Sequence, residues 1–206
     1  MSDREEHTRE KIIFSALTLF SEVGISKTSM NDVAYHAGVT RVTVYRYFKD
    51  KQELVREAFL RVERVFQEGL EELKRNPEPS WESILDRIGE NLSALPHGDV
   101  SARTDELKRL YPDTYASIQA VRIPTLNGIF DHLFTIAERQ GLLRHGLNRP
   151  LVQAIFWEIG INFFDNPRLK SFGLSDAELY NAIKNILLYG ILKGEPVEKQ
   201  IFDTLR

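Results

Sequence analysis

Apolar residues recur along this chain every three to four positions, which is the spacing of one face of an α-helix. Near the N-terminus, Ile12, Ala16, Leu19 and Val23 share such a face, and Gly24 ends the predicted helix. A second stripe predicts a long helix from about residue 51 to 75. Sustained alternation of apolar and polar residues, which is typical of strands, is absent from the sequence. The pattern therefore predicts an all-α fold.

Proline, glycine and capping residues divide the remainder of the chain. Residues 76–80 break the pattern, and Pro112 suits the first turn of a helix that reaches Gln140, with Gly141 as its C-terminal cap. A capping box at Ser175 to Glu178 predicts the start of the last helix. The total is about nine helices without an internal repeat.

Composition excludes several classes of protein. The 206 residues carry a net charge of −3 and no cysteine, which excludes a disulfide framework and a cysteine nucleophile. The charged N-terminus does not resemble a signal peptide, and the most apolar stretch, 154–164, is too short to span a bilayer. We therefore expect a soluble, cytoplasmic protein. The segment from Gly24 to Lys51, however, contains five basic residues and only two acidic ones. This local positive charge suits binding to phosphate groups.

The spacing of small and branched residues after Met30 is that of a helix-turn-helix. Ala34 is small, as required where a second helix crosses the first, and Gly38 falls where the turn needs a positive φ. Other residues would take up that conformation at a cost of about 1–2 kcal/mol. Val39 and Val44 are then placed to hold the two helices together.

Burial of those positions leaves a polar face on the second helix, behind a Thr40 cap. Arginine can bind guanine, threonine and valine can contact a thymine methyl, and tyrosine and lysine can reach phosphate. The residues of this face are Arg41, Val42, Thr43, Tyr45 and Arg46. From spacing alone, a helical hairpin with a solvated polar face remains an alternative.

Residues from about 10 to 57 resemble the DNA-binding domain of TetR-family transcriptional regulators. The segments "ALTLFSEVGISKTSMNDVAYHAGV" and "TVYRYFKDKQELV" carry the resemblance, including Tyr45, the pair Tyr47-Phe48 and Lys51. It implies a three-helix DNA-binding domain at 6–66, with the helix-turn-helix at about 29–48. A long fourth helix would join it to a C-terminal effector-binding and dimerisation domain at 67–206. The family pattern is not matched at Arg41-Val42, so no operator sequence can be transferred.

The resemblance also assigns expected roles. Arg41, Val42, Thr43 and Tyr45 are similar to base or sugar contacts of the family. Ser29, Asn31, Tyr47 and Lys51 are similar to its phosphate contacts. With the helix face described above, the predicted DNA-binding set is Ser29, Asn31, Thr40, Arg41, Val42, Thr43, Tyr45, Arg46, Tyr47 and Lys51.

Beyond residue 66 the resemblance weakens, but it implies a dimer formed by the last two helices. Small residues beside large apolar ones let helices approach closely across such an interface. The predicted interface residues are Trp157, Gly160, Phe164, Ala182, Ile186 and Gly190. The alternative is that they fill the core of one subunit.

The family also implies an inducer cavity inside the C-terminal domain. Its predicted lining is Ile88, Leu92, Leu107, Tyr111, Ile118, Arg122, Leu126 and Ile129. Arg122 lies in the middle of an apolar stripe, two residues before Pro124, and a buried arginine needs an anionic partner. The hypothesis is an apolar carboxylate as inducer. Alternatively, Arg122 meets an acidic side chain of a neighbouring helix or extends to water.

No catalytic pattern is present in the sequence. The five histidines are scattered, and neither a phosphate-binding glycine loop nor a nucleophile elbow occurs. We therefore predict no enzyme, no metal and no cofactor. The expected function is a homodimeric repressor that a small molecule releases from a palindromic operator in double-stranded DNA. The alternative is a DNA-binding factor of the same fold that a protein partner controls.

Overall fold

A computed structural model describes residues 2–75, 100–162 and 171–173, and in the C-terminal part also 178, 181, 182, 185, 186, 190 and 191. These residues contain seven bounded α-helices and no strand, which confirms the all-α prediction. The helices are α1 Asp3–Glu22, α2 Met30–His36, α3 Arg41–Tyr47, α4 Lys51–Arg75, α5 Val100–Leu110, α6 Pro112–Arg139 and α7 Arg149–Asn162. The predicted helix around Ile88 and Leu92 and the capping box at Ser175 lie outside the described residues.

Local capping chemistry sets the ends of these helices. The Ser29 side chain caps α2 and the Thr40 side chain caps α3, each by accepting a hydrogen bond from a backbone N–H inside the helix. Gly24 follows α1 with a φ of 109° and Gly141 follows α6 with a φ of 65°, a region that favours glycine. The predicted ends at these positions are therefore confirmed within one or two residues.

The first hydrophobic core joins the four N-terminal helices. On α1 the buried face consists of Ile12, Ile13, Ala16, Leu17 and Phe20. The predicted stripe through Val23 was wrong at its end, because Val23 is 44% exposed. The larger Phe20 ring points inward instead, and Val23 lies beyond the last turn as the C-cap.

This first core also receives residues from the C-terminal half of the chain. Leu107 of α5 and Ile118 of α6 are each 2% exposed and belong to the same cluster as the α1–α4 side chains. The predicted domain border between 66 and 67 falls inside α4, which continues to Arg75. The N-terminal core is therefore completed by two helices from beyond that border.

A second and a third cluster lie farther along α6. Leu73 of α4 packs with Leu126, Ile129 and Leu133 of α6. Two phenylalanines of α6, Phe130 and Phe134, pack with Val152 of α7 in the third cluster. Helices α4 and α6 thus lie against each other and connect the N-terminal core to the C-terminal clusters.

Candidate nucleic-acid interface and effector region

The predicted helix-turn-helix is present in α2 and α3. Ala34 is 4% exposed and Val44 is fully buried, and both belong to the first hydrophobic core, into which α2 and α3 pack. Gly38 has a φ of 61°, and the Val39 N–H donates to the Ala34 carbonyl over 3.0 Å, which closes the turn. Short side chains at the crossing and a glycine in the turn are what this geometry requires.

Helix α3 presents its other face to solvent. Val42 is 79% exposed and Tyr45 is 41% exposed, and Arg41 and Arg46 lie on the same open surface. Thr43 is half-buried, and its hydroxyl lies 2.9 Å from that of Thr40. The exposed side chains take no part in the hydrophobic core, so the fold does not explain their identity.

Both arginines of α3 are held against aromatic rings. The Arg41 guanidinium lies 5.4 Å from the centre of the Tyr45 ring, and that of Arg46 lies 5.0 Å from the Tyr47 ring. A nitrogen of Arg46 also lies 3.3 Å from the Tyr47 hydroxyl. Cation–π contacts of this kind restrict the arginine side chains, so their planar donor groups are partly pre-oriented for a partner.

The four predicted phosphate contacts differ in accessibility. Ser29 and Asn31 are exposed, although the Ser29 hydroxyl already accepts from the Asp32 N–H over 3.2 Å. Tyr47 and Lys51 are half-buried, and the Lys51 ammonium lies 3.5 Å from the Ser26 carbonyl. Desolvation lowers the pKa of Lys51, while the nearby acidic groups oppose that shift. Lys51 thus lies at the edge of the surface rather than in its centre.

Tyr35 is a further candidate that the predicted set omits. It lies on α2 and is 91% exposed, the highest value among the exposed large hydrophobic residues described. An open tyrosine beside the turn is a candidate phosphate or sugar contact. The sequence contained the signal, because the spacing buries Val33, Ala34 and Ala37 and leaves position 35 outward.

Glu106 connects α5 to the loop between α1 and α2. Its carboxylate accepts from the backbone N–H of Ile25 over 2.8 Å and from that of Ser26 over 2.7 Å. Arg103 lies 3.2 Å from the same carboxylate and also donates to the Ser21 carbonyl over 3.4 Å. Burial alone would raise the pKa of Glu106, but the hydrogen bonds from Ser26, Ile25 and Arg103 lower it to about 2.

The predicted effector-lining residues are distributed over two cores. Leu107 and Ile118 are buried in the first core, against which Tyr111 also packs. Leu126 and Ile129 belong to the second cluster. Ile88 and Leu92 lie outside the described residues. The described members of the set therefore belong to more than one packing cluster, and their common cavity stays a prediction.

Arg122 pairs with Glu63 of α4. Its Nε donates to Glu63 Oε1 over 2.9 Å, and its Nη2 donates to the same oxygen. The Glu63 side chain is 1% exposed and that of Arg122 is 20% exposed. The structure thus contains the alternative in which Arg122 meets an acidic side chain of a neighbouring helix. This pair removes the reason for requiring an anionic ligand.

The open face of α7 contains other residues than Trp157, and the predicted interface stays a prediction. The Trp157 indole N–H donates to Asn127 over 2.8 Å, and the ring packs against the second cluster, so it faces α6. Leu151 and Ile155, 59% and 43% exposed, lie instead on one open face with Ala154 and Glu158.

The other predicted interface residues lie on α7 or farther along the chain. Gly160 lies on α7, and Phe164 is outside the described residues. Farther along, Ala182 and Gly190 are exposed, and Ile186 is 67% exposed. Their four-residue spacing places these three residues on one side of a helix.

The described ranges contain neither a candidate metal site nor a helix that could cross a membrane. Within residues 2–75, 100–162 and the short described segments beyond, no group of three His, Asp or Glu side chains could hold a metal ion. Helices in the same ranges are too short or too polar to cross a membrane.

This geometry defines a helix-turn-helix protein, and comparisons with known proteins agree. Residues 12–58 match the model of the family described as bacterial regulatory proteins, tetR family. The HTH-type transcriptional regulator AcrR of Shigella flexneri is 48% identical over 52 residues, which cover 25% of this chain and 24% of that protein. The repressor KstR of Rhodococcus jostii is 29% identical over 137 residues, covering 66% of this chain and 62% of KstR. The chain aligns with only about a quarter of the length of the first of these relatives.

Solved structures extend the likeness to the whole fold. A mutant of HlyIIR in which a segment is substituted by a GSSGSSG linker covers 94% of this chain and 100% of its own, with a TM-score of 0.63 at 20% identity. The fatty acid degradation regulator FadR from Bacillus halodurans covers 89% of this chain and 95% of its own, with a TM-score of 0.61 at 17% identity. Residues 12–58 of this chain are therefore similar to the DNA-binding domain of the TetR family, and its fold is the one found in these solved structures.

Proposed function

We propose that this protein is a sequence-specific DNA-binding transcriptional regulator that acts as a repressor. The observation that carries the proposal is the outward face of α3, where Arg41 and Arg46 stack on tyrosines above a core that does not need them. Relatives matched through the same segment include the probable acrEF/envCD operon repressor of Escherichia coli, 42% identical over 53 residues. Double-stranded DNA is the proposed partner.

The proposed DNA contacts fall into two groups. Arg41, Val42, Thr43 and Tyr45 would contact base edges or sugars. Ser29, Asn31, Thr40, Arg46, Tyr47 and Lys51 would position the domain on the backbone, together with Tyr35. Base contacts determine sequence preference, whereas phosphate contacts determine affinity and its dependence on salt.

Selection from random duplex DNA tests this division of roles. We expect inverted repeats, because a dimer would place one short α3 helix in each half-site. Arg41→Ala should relax the preference at one base pair of each half-site, at a cost of about 1–3 kcal/mol. Lys51→Ala should weaken all sequences alike and reduce the salt dependence.

The matched control is Lys74→Ala, which removes one exposed charge at the far end of α4. An enriched site without dyad symmetry would argue against the dimeric arrangement. If Arg41→Ala and Lys51→Ala lower affinity without any change in preference, the assignment of Arg41 to base contact is wrong.

A homodimer is the second part of the proposal. The exposed residues Leu151 and Ile155 on α7, and the line of Ala182, Ile186 and Gly190, are apolar or small surfaces that a second copy would cover. An added Cβ at Gly190 meets nothing within 4 Å among the described residues, and Gly190 is exposed on the single chain. Gly190→Trp should therefore give folded monomers in light scattering, and an intact dimer would place the interface elsewhere.

The C-terminal domain is the proposed receptor for a small-molecule inducer. An apolar carboxylate held by Arg122 is not part of the proposal, because Glu63 already neutralises that guanidinium. The second candidate is control by a protein partner, which the exposed apolar residues Leu151 and Ile155 would favour. Retention of a DNA-bound dimer in the presence of all small molecules tested would support this second candidate.

A further inference from the structure

The carboxylate of Glu63 has one satisfied and one unsatisfied oxygen. The Nε and Nη2 groups of Arg122 both donate to Glu63 Oε1, whereas an arginine–carboxylate pair commonly uses both carboxylate oxygens. Glu63 Oε2 is buried and has no hydrogen-bond partner among the residues that the structure describes. A buried charged acceptor without a donor carries its full desolvation penalty, so this oxygen is a vacant acceptor inside the domain.

A second buried acceptor, the side-chain oxygen of Gln119, lies on α6 one helical turn before Arg122. Gln119 precedes Arg122 by three residues on α6, which places both side chains on one face of that helix. The Gln119 amide nitrogen donates to the Tyr115 hydroxyl over 2.7 Å, but the amide oxygen is buried without a partner in the described part of the chain. The facing helices α4 and α6 therefore each contribute one buried acceptor that no donor of the described residues satisfies.

The charge balance restricts what could bind to these acceptors. Glu63 and Arg122 cancel each other, and their contact joins the two charged groups directly. A buried carboxylate on a ligand would face the Glu63 oxygen, and a buried ammonium would lie close to the Arg122 guanidinium. Either charge would be desolvated without a counter-ion of its own, which is costly. An uncharged group with a hydrogen to donate avoids both penalties.

We propose that Glu63 and Gln119 form the head-group site for an uncharged apolar molecule that carries a hydroxyl group, an alcohol or a phenol. The hydroxyl donates to Glu63 Oε2 or Gln119 Oε1, and the apolar body extends along α6 toward Leu126 and Ile129. These two residues lie on the same stripe as Gln119 and Arg122 and are 5% and 2% exposed. The inference deepens the proposed function, because the molecule would be the inducer.

Calorimetry on the full chain without DNA tests the ligand class with matched probes. One set is 2-naphthol, 2-methoxynaphthalene, 2-naphthoate and 2-naphthylmethylammonium. The other is 1-octanol, methyl octyl ether, octanoate and octylammonium. Within each set the apolar body is constant, and the ether removes only the donated hydrogen. In at least one set we expect the hydroxyl compound to bind roughly 10-fold more tightly than the other three.

Two variants connect that preference to the named residues. Gln119→Leu removes one acceptor without changing charge, so the preference for the hydroxyl compound over its ether should fall several-fold. Glu63→Gln leaves Arg122 without its anion, so the affinity for naphthoate or octanoate should rise while that for the hydroxyl compound falls. Glu71→Gln, an exposed change on the same helix, is the control and should alter neither. If Glu63→Gln does not fold, Gln119→Leu alone decides.

The outcomes separate this inference from the proposed function. Equal or tighter binding of the ether or of a charged compound would overturn the inference, as would an unchanged preference in Gln119→Leu. Failure of both hydroxyl compounds to bind would also overturn it. Gel shifts with the selected palindrome are run on the same preparation. Lost DNA binding would contradict the regulator proposal and leave the calorimetric result standing, whereas intact DNA binding with no hydroxyl preference would contradict only the ligand class.

Discussion

Glu106→Gln would test the contact between α5 and the loop that follows α1. The substitution preserves the shape of the side chain but removes its charge and replaces one acceptor oxygen by an NH2 group. In the wild type, Oε2 accepts from the Ile25 N–H over 2.8 Å and Oε1 accepts from the Ser26 N–H over 2.7 Å. After substitution, one of these backbone donors faces another donor. Arg103, 3.2 Å away, also loses its anionic partner.

The size of the effect follows from these contacts. A hydrogen bond to a charged group contributes about 1.5–3 kcal/mol to stability, and one such bond is lost. The Glu106 side chain is only 12% exposed, so solvent can replace the missing acceptor poorly. We expect the free energy of unfolding to fall by about 2 kcal/mol, which is a factor of roughly 30 in the ratio of folded to unfolded protein.

The pH dependence of the stability difference between wild type and Glu106→Gln provides a second, independent test. The pKa of Glu106 is about 2 in the folded protein, against an ordinary value of 4.5. Because the folded-state pKa is lowered, ionised Glu106 makes its full contribution to stability above pH 4.5, and this contribution is lost as the pH falls toward about 2. The difference between wild type and Glu106→Gln should therefore be constant near neutral pH and shrink below pH 4.5.

Urea denaturation followed by circular dichroism, from about pH 7 to about pH 3, measures this difference. Asp105→Asn is the matched control, because the carboxylate of Asp105 is adjacent in sequence to Glu106 but exposed. If Glu106→Gln is no less stable than Asp105→Asn at neutral pH, the contact does not stabilise the fold. A difference that stays constant down to about pH 3 would contradict the assignment of the low pKa.

Three further predictions concern stability, each measured by the same denaturation. Arg122→Met should lower the free energy of unfolding by about 3–5 kcal/mol, because it leaves the buried Glu63 carboxylate without its counter-ion. The double variant Arg122→Met, Glu63→Leu should recover most of that loss. Equal instability of the single and double variants would contradict this explanation. Gly38→Ala should cost about 1–2 kcal/mol, through its φ of 61° and not through a clash, since the nearest atom to an added Cβ is a Lys11 nitrogen 3.6 Å away. Thr40→Ala should remove the α3 cap at a cost of about 1 kcal/mol, and an unchanged midpoint would show that the cap contributes little.

The features that could be predicted from the sequence are those set by near neighbours. Gly38, Thr40 and the helix that starts at Lys51 depend on residues within one turn, and each lies as predicted. The burial of Ala34 and Val44 follows from the crossing of two adjacent helices. In these cases capping chemistry, backbone sterics and helical period are sufficient.

Contacts between distant helices could not be predicted in the same way. Glu63 lies between Phe59, Phe66 and Leu70 in the spacing of one apolar stripe, just as Arg122 does on α6. The sequence shows that each charged residue lies within the apolar stripe of its own helix. The pairing of Glu63 with Arg122, however, depends on how α4 packs against α6. The inward orientation of Trp157 depends in the same way on Asn127, 30 residues earlier in the chain.

The core shared between the two halves has a consequence for protein engineering. Leu107 and Ile118 complete the cluster around α1–α4, and Glu106 binds the loop after α1. A chimera that grafts residues 1–66 onto the effector domain of another regulator would leave a hydrophobic recess uncovered unless the recipient supplies equivalent side chains on its corresponding helices. Exchange of α3 surface residues within the intact chain avoids that difficulty, because Arg41, Val42 and Tyr45 lie outside the core. If α3 contacts DNA as proposed, substitutions on its surface would change operator preference without altering the packing between the two halves.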